Sequence, residues 1–140
     1  MRSLRVLILE DNPFQLMALH QMLNASGVYD VLVAATLTDA CRSLAHRGSV
    51  DLVICDVNPD RSGGGTDLVR HLAVSRQAEA VIILSGADDA LREEAARLAR
   101  QSGLWVLAAL AKPASTRTLH QLLEVYQQNT RYPAQALAAL

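Results

Sequence analysis

The sequence predicts an α/β domain built as a doubly wound, five-stranded parallel sheet with helices on both faces. Three observations carry the prediction. Short apolar runs rich in Val, Ile and Leu alternate with longer stretches of helical periodicity, the pattern of repeated βα units. Most runs are apolar at consecutive positions, as strands covered on both faces must be. The length, 140 residues, suits one domain with one core.

The strands are expected at Leu4 to Leu9, Tyr29 to Ala34, Asp51 to Cys55, Ala80 to Leu84 and Trp105 to Leu110. Between the first two, Phe14, Met17, Ala18, Gln21 and Met22 mark a helix opened by Pro13 near its first turn and closed near Gly27. Thr38 to His46 forms the second helix. Thr66 to Val74 forms the third, with Leu68, Val69 and Leu72 on one face, after a Gly63-Gly64-Gly65 stretch read as a flexible turn. That glycine stretch lacks the Lys and Ser or Thr of a nucleotide-binding loop. Asp88 to Gln101 is the fourth helix, charged on its outer side and stopped near Gly103. Ser115 begins the fifth, with Leu119, Leu122, Leu123 and Tyr126 turned inward. After Asn129 the pattern fails and Pro133 breaks it, so residues 1–128 are expected to form the domain and 129–140 a linker or chain end.

The composition excludes several functions. A formal net charge of −1 and no dense Arg/Lys cluster give direct nucleic-acid binding no support. No run reaches the roughly 18 uninterrupted apolar residues of a membrane span, and Met1 to Arg5 lacks the apolar stretch of a signal peptide, so the chain reads as cytoplasmic with no membrane contact. Cys41 and Cys55 have no metal spacing and read as small buried hydrophobes. His20, His46, His71 and His120 are scattered, which argues against a histidine metal centre.

In an open parallel sheet, functional groups collect where loops leave the carboxyl ends of the strands. Those ends carry Glu10 and Asp11 after the first strand, Asp56 at the third, Ser85 at the fourth and Lys112-Pro113 after the fifth. Three carboxylates in one pocket repel unless a cation joins them, and an all-oxygen donor set suits Mg²⁺ or Mn²⁺. A carboxylate such as Asp56 can attack phosphorus to form an acyl phosphate if charge on the transferring group is neutralised. Lys112 supplies a point charge for that purpose, and Ser85 a hydrogen bond. Among thirteen Lys and Arg residues Lys112 is the sole lysine, and a compact ammonium fits a small pocket better than a planar guanidinium.

With these residues in place, the sequence from about Leu4 to Tyr126 resembles the receiver domain of bacterial two-component response regulators. Val6 to Pro13 looks like the family's first strand with its acidic pair, and Asp51 to Asp56 like the strand ending in the phosphorylated aspartate. Val81 to Gly86 is similar to the strand bearing the switch hydroxyl, and Lys112-Pro113 to the family's lysine and cis-proline. The resemblance implies the flavodoxin-like receiver fold, phosphorylation at Asp56, and a metal held by Glu10, Asp11, Asp56 and the backbone carbonyl of Asn58. It implies a phosphoacceptor that catalyses its own phosphorylation and dephosphorylation, and not an enzyme with a separate substrate. Its partners would be a histidine kinase or phosphotransfer protein and a C-terminal or separate output domain, with homodimerisation allowed.

The sequence departs from the family at three places. Pro59 follows Asp56 by three residues where the family has proline at four. Ala109 stands where the family often has the aromatic ring that moves with Ser85 on phosphorylation. The segment Gly103 to Pro113 is about two residues longer than usual; together with Glu10 to Gln15 it is similar to receivers that precede EAL-type cyclic di-GMP phosphodiesterases. Two alternatives stay open at this point: a pseudo-receiver that keeps the fold and binds partners, and a haloacid-dehalogenase-like phosphatase. The latter expects an aspartate two residues after the nucleophile, where this chain has Asn58.

Overall fold

The computed structural model describes residues 3–57, 65–86 and 89–139, with side chains described as far as residue 129. Five strands and five helices alternate: β1 (Arg5–Leu9), α1 (Pro13–Ala25), β2 (Asp30–Ala34), α2 (Leu37–Arg47), β3 (Val50–Val57), α3 (Gly65–Ser75), β4 (Ala78–Ser85), α4 (Asp89–Gln101), β5 (Trp105–Ala111) and α5 (Thr116–Ala139). The strands form one parallel sheet in the order β2-β1-β3-β4-β5. The order reverses beside β1, so α1, which follows β1, and α3, which follows β3, cover opposite faces of the sheet, the arrangement that opens a crevice at the carboxyl edge.

The consecutive apolar residues of the central strands serve two cores. Leu7, Val53, Cys55, Val81 and Ile83 point to one face and pack with Leu44 of α2, Leu68 and Leu72 of α3, and Ala95 and Ala99 of α4. Val6, Ile8, Leu52, Ile54 and Ile82 point to the other and meet Leu19 and Leu23 of α1 and Leu119, Leu123 and Tyr126 of α5. Alternation along each strand therefore buries both sets, and burying a Val, Leu or Ile side chain stabilises by about 1.5–3 kcal/mol.

Local chemistry sets the helix starts. The Asn12 side chain accepts from the backbone N–H of Phe14 (3.0 Å) and Gln15 (3.1 Å) ahead of Pro13, and Thr36 caps α2 by accepting from Asp39 N (3.1 Å). Ser115 Oγ accepts from Thr118 N (3.0 Å) and opens α5.

Several sequence expectations need correction. The buried stripe of α1 is Leu19 and Leu23 with Leu16 and Met22 beside them, whereas Phe14 and Met17, expected to mark the helical pattern, are exposed. Apolar residues on both sides of α1 blur its periodicity. Tyr29 lies before β2 and is exposed. Cys55 is buried, but Cys41 is half-buried. The helix expected to end near Asn129 continues through Pro133 to Ala139. An interior proline costs about 3 kcal/mol in a helix, but most residues after it, Ala134 to Ala139, are good helix formers. Gly65 is the first residue of α3 and is buried, so it is no part of a flexible turn; Gly63 and Gly64 lie outside the described residues, as do Pro59 and the start of the fourth helix at Asp88.

The extra length before Lys112 has a visible cause in part. Val81 pairs with Val106 but Ile82 pairs with Ala108, so Leu107 is an inserted bulge residue in β5. The bulge lets both Leu107 and Leu110 pack on the α1/α5 core while Val106 and Ala109 pack on the opposite one. No helix among the described residues is long and apolar enough to cross a membrane.

Candidate functional site

Glu10 extends β1 by one further ladder bond, its N–H donating to Ala34 O at 3.0 Å. Its carboxylate is driven under the surface, 2% exposed, while Asp11 beside it faces solvent. Asp56 lies inside β3 opposite Leu84, held by the strand ladder and 7% exposed. The parallel register thus brings carboxylate oxygens of Glu10, Asp11 and Asp56 within 4.8 Å of one another.

Lys112 crosses from the β5 end to meet them. Its Nζ donates to Glu10 Oε1 at 2.6 Å and to Gln15 Oε1 at 2.8 Å, and lies 2.9 Å from Asp56 Oδ1. The last contact is an ion pair without hydrogen-bond geometry, and among the described residues Asp56 Oδ1 is buried with no hydrogen-bond donor. The Lys112-Pro113 peptide is cis. Lys112 N donates to Ser85 O at 2.9 Å, and Ser85 is fully buried, paired in register with Val57 on one side and Ala111 on the other. The Ser85 backbone is thereby one strand from the residue after Asp56 and one from the residue before Lys112. Ala109, opposite Ile83, packs against the α2/α3/α4 core with only a methyl group to offer.

Burial is the largest influence on Asp56 and raises its pKa above the ordinary carboxylate value; Lys112 opposes the rise and Glu10 adds to it. Burial likewise pushes the neighbouring Cys55 thiol up to about 12, with the Asp56 charge adding to the effect.

The donor set fits a hard divalent cation. Three carboxylates converge in one all-oxygen set of the kind such ions take, and among the described residues Asp56 Oδ1 accepts no hydrogen bond. Asn58, whose backbone carbonyl was expected as a further ligand, lies outside the described residues. Beside the carboxylates, a cavity of about 350 Å³ is lined by Leu19, Met22 and Leu84 together with Gln15, Lys112 and Pro113.

Two residues matter here that sequence reasoning did not assign. Gly65 brings α3 so close to β3 that a Cβ would stand 2.4 Å from Asp56 O, and its own carbonyl accepts from Cys55 Sγ at 3.3 Å. Gln15 is the second; its spacing from Asp11 carried no hint of a bond to a residue 97 positions away.

Residues 6–124 match the response regulator receiver domain family. The chain belongs to that family. A curated relative of this receiver is the cyclic di-GMP phosphodiesterase RocR of Pseudomonas aeruginosa, 35% identical over 127 residues that make up 90% of this chain and 32% of the relative. The chain therefore spans about a third of that relative's length. A receiver domain protein from Clostridium thermocellum is 26% identical with a TM-score of 0.72, covering 92% of this chain and 98% of the other. The signal receiver domain of a modulated diguanylate cyclase from Desulfovibrio desulfuricans G20 shares the fold at 21% identity and a TM-score of 0.74, over 94% and 98% of the two chains.

Proposed function

We propose that this receiver accepts a phosphoryl group on Asp56 from a histidine kinase, a phosphotransfer protein or a small phosphodonor. The observation that carries the reading is the convergence of Glu10, Asp11 and Asp56 within 4.8 Å with the Lys112 ammonium 2.9 Å from Asp56. A carboxylate oxygen of Asp56 attacks phosphorus, and the bond from phosphorus to the donor breaks with its electron pair leaving on the donor. Glu10, Asp11, Asp56 and the Asn58 carbonyl would hold Mg²⁺ or Mn²⁺, which when bound neutralises charge on the phosphoryl oxygens. Lys112 stabilises the same charge from the β5 side, and Ser85 donates a hydrogen bond once the group is on Asp56.

The signal then leaves by Ser85, whose movement toward the phosphoryl group pulls the loop after Gly86 and α4. Ala109 supplies no ring to follow it, so the route runs through two arrangements of Ser85 and α4 with different affinities for phosphate. The likeness to a cyclic di-GMP phosphodiesterase supports an output of that class, joined through residues 129–140 to the domain formed by 1–128.

The test is treatment with acetyl phosphate and Mg²⁺, followed by intact mass and peptide mapping. An acid-labile phosphate on Asp56, absent from Asp56→Asn, is the expected result. A wild-type chain that gains none, or an Asp56→Asn variant that still does, refutes the proposal.

A further inference from the structure

Lys112 ends a four-carbon stem whose free rotamers carry about 2 kcal/mol of entropy, so a defined ammonium position needs fixed acceptors. An ammonium has three N–H donors. Two of them go to Glu10 Oε1 (2.6 Å) and Gln15 Oε1 (2.8 Å), while Asp56 Oδ1, at 2.9 Å, is met by charge alone. From this geometry we infer that Gln15 is a positioning residue for Lys112: its amide oxygen keeps the ammonium beside Asp56 during phosphoryl transfer. The inference rests on the phosphoacceptor reading above.

The local structure suits Gln15 to this task. It sits in the first turn of α1, where its own N–H is tied to Asn12 Oδ1 at 3.1 Å, so its backbone is anchored before the side chain reaches out. An ammonium cannot accept a hydrogen bond, so only the amide oxygen can face it and the NH₂ must turn away. Gln15 also lines the 350 Å³ cavity, together with Glu10 and Lys112.

Glu10 alone could not hold Lys112 through the reaction. It belongs to the carboxylate trio, and once its charge is directed at a divalent cation its attraction for the ammonium falls while the cation repels Nζ. Gln15 stands outside the trio, is neutral, and loses nothing when the cation binds. In this role it acts through Lys112 and ligates neither the cation nor the phosphoryl group.

Because Lys112 is the chain's only lysine, its ammonium gives one side-chain resonance in a ¹H–¹⁵N spectrum, a direct reading of how firmly it is held. In Gln15→Met, which keeps the length and removes the acceptor, that resonance should broaden through faster exchange with water. The rate of Asp56 phosphorylation at saturating acetyl phosphate and Mg²⁺ should fall about 3- to 10-fold, the effect of one exposed hydrogen bond to a charged group. Mg²⁺ affinity and thermal midpoint should stay unchanged. Gln15→Glu, which restores an acceptor at the same reach, should recover both the resonance and the rate. A wild-type rate in Gln15→Met overturns the inference, and so does a slower rate matched by an equal loss of Mg²⁺ affinity or stability. Wild type that takes up no phosphate refutes the phosphoacceptor reading itself and this inference with it.

Discussion

Replacing Gly65 with alanine sets two local effects of opposite sign against each other. Helix propensity favours alanine by about 0.5–1 kcal/mol in a helix interior, and by less at Gly65, the first residue of α3. The new Cβ, however, would stand 2.4 Å from Asp56 O, 2.9 Å from Asp56 C and 2.8 Å from Val57 Cγ1. Carbon–carbon contacts relax at about 3.5–4.0 Å, so α3 or the end of β3 must retreat by roughly 0.7 Å or more. Two of the three atoms are backbone, and a side-chain rotation cannot relieve them. Overpacking of this kind costs about 1–3 kcal/mol and outweighs the propensity gain, for a net loss of about 1–2 kcal/mol and several degrees of thermal midpoint. The displaced backbone is that of Asp56 itself, and misplacement of a reacting group by about 1 Å costs up to 100-fold in rate. Urea unfolding followed by Trp105 fluorescence, with acetyl phosphate labelling of the folded variant, measures both. A Gly65→Ala protein that is as stable as wild type and phosphorylated at the same rate would refute the close approach of α3 to β3 as the reason for glycine.

Three further outcomes follow from the same geometry. Asp56 has a raised pKa in the folded chain, so between its unfolded and folded pKa values the native state binds more protons and metal-free stability falls as pH rises through that window. Asp56→Asn should accordingly raise the thermal midpoint in chelator at neutral pH and abolish the increment given by Mg²⁺; a lower midpoint in chelator would contradict this. Lys112→Ala leaves the buried Glu10 and Asp56 carboxylates facing each other without their cation, a loss of about 3 kcal/mol or more in chelator that Mg²⁺ should largely restore while phosphorylation stays slow. Unfolding curves with and without Mg²⁺ check it. Native iodoacetamide at neutral pH should modify half-buried Cys41 and spare Cys55, whose thiol is buried and pushed up to about 12; rapid labelling of Cys55, read by peptide mass, would count against that packing.

The sequence by itself determined the parallel two-faced sheet, because consecutive Val, Ile and Leu in short runs have no other stable use than burial on both sides. It also determined which side chains stand at the carboxyl edge: Glu10, Asp11, Asp56, Ser85 and Lys112 each follow or close an apolar run, and strand-end position is a property of the chain alone. The inward face of α5, with Leu119, Leu123 and Tyr126, was equally plain from spacing. The face of α1 was not, since Phe14 and Met17 are as apolar as the residues that are buried, and only packing against β1 and α5 selects Leu19 and Leu23. Nor could spacing show that Tyr126 would stack on Trp105 with ring centroids 5.6 Å apart, or that its hydroxyl would donate to Glu79 across the amino edge of the sheet. The bulge at Leu107 depends on the register of β5 against β4, a relation between two strands and not a property of either. Gly65 and Gln15 belong to the same class. One is required by the distance between a helix and a neighbouring strand, the other by an ammonium arriving from 97 residues away, and such distances exist only once the sheet has assembled.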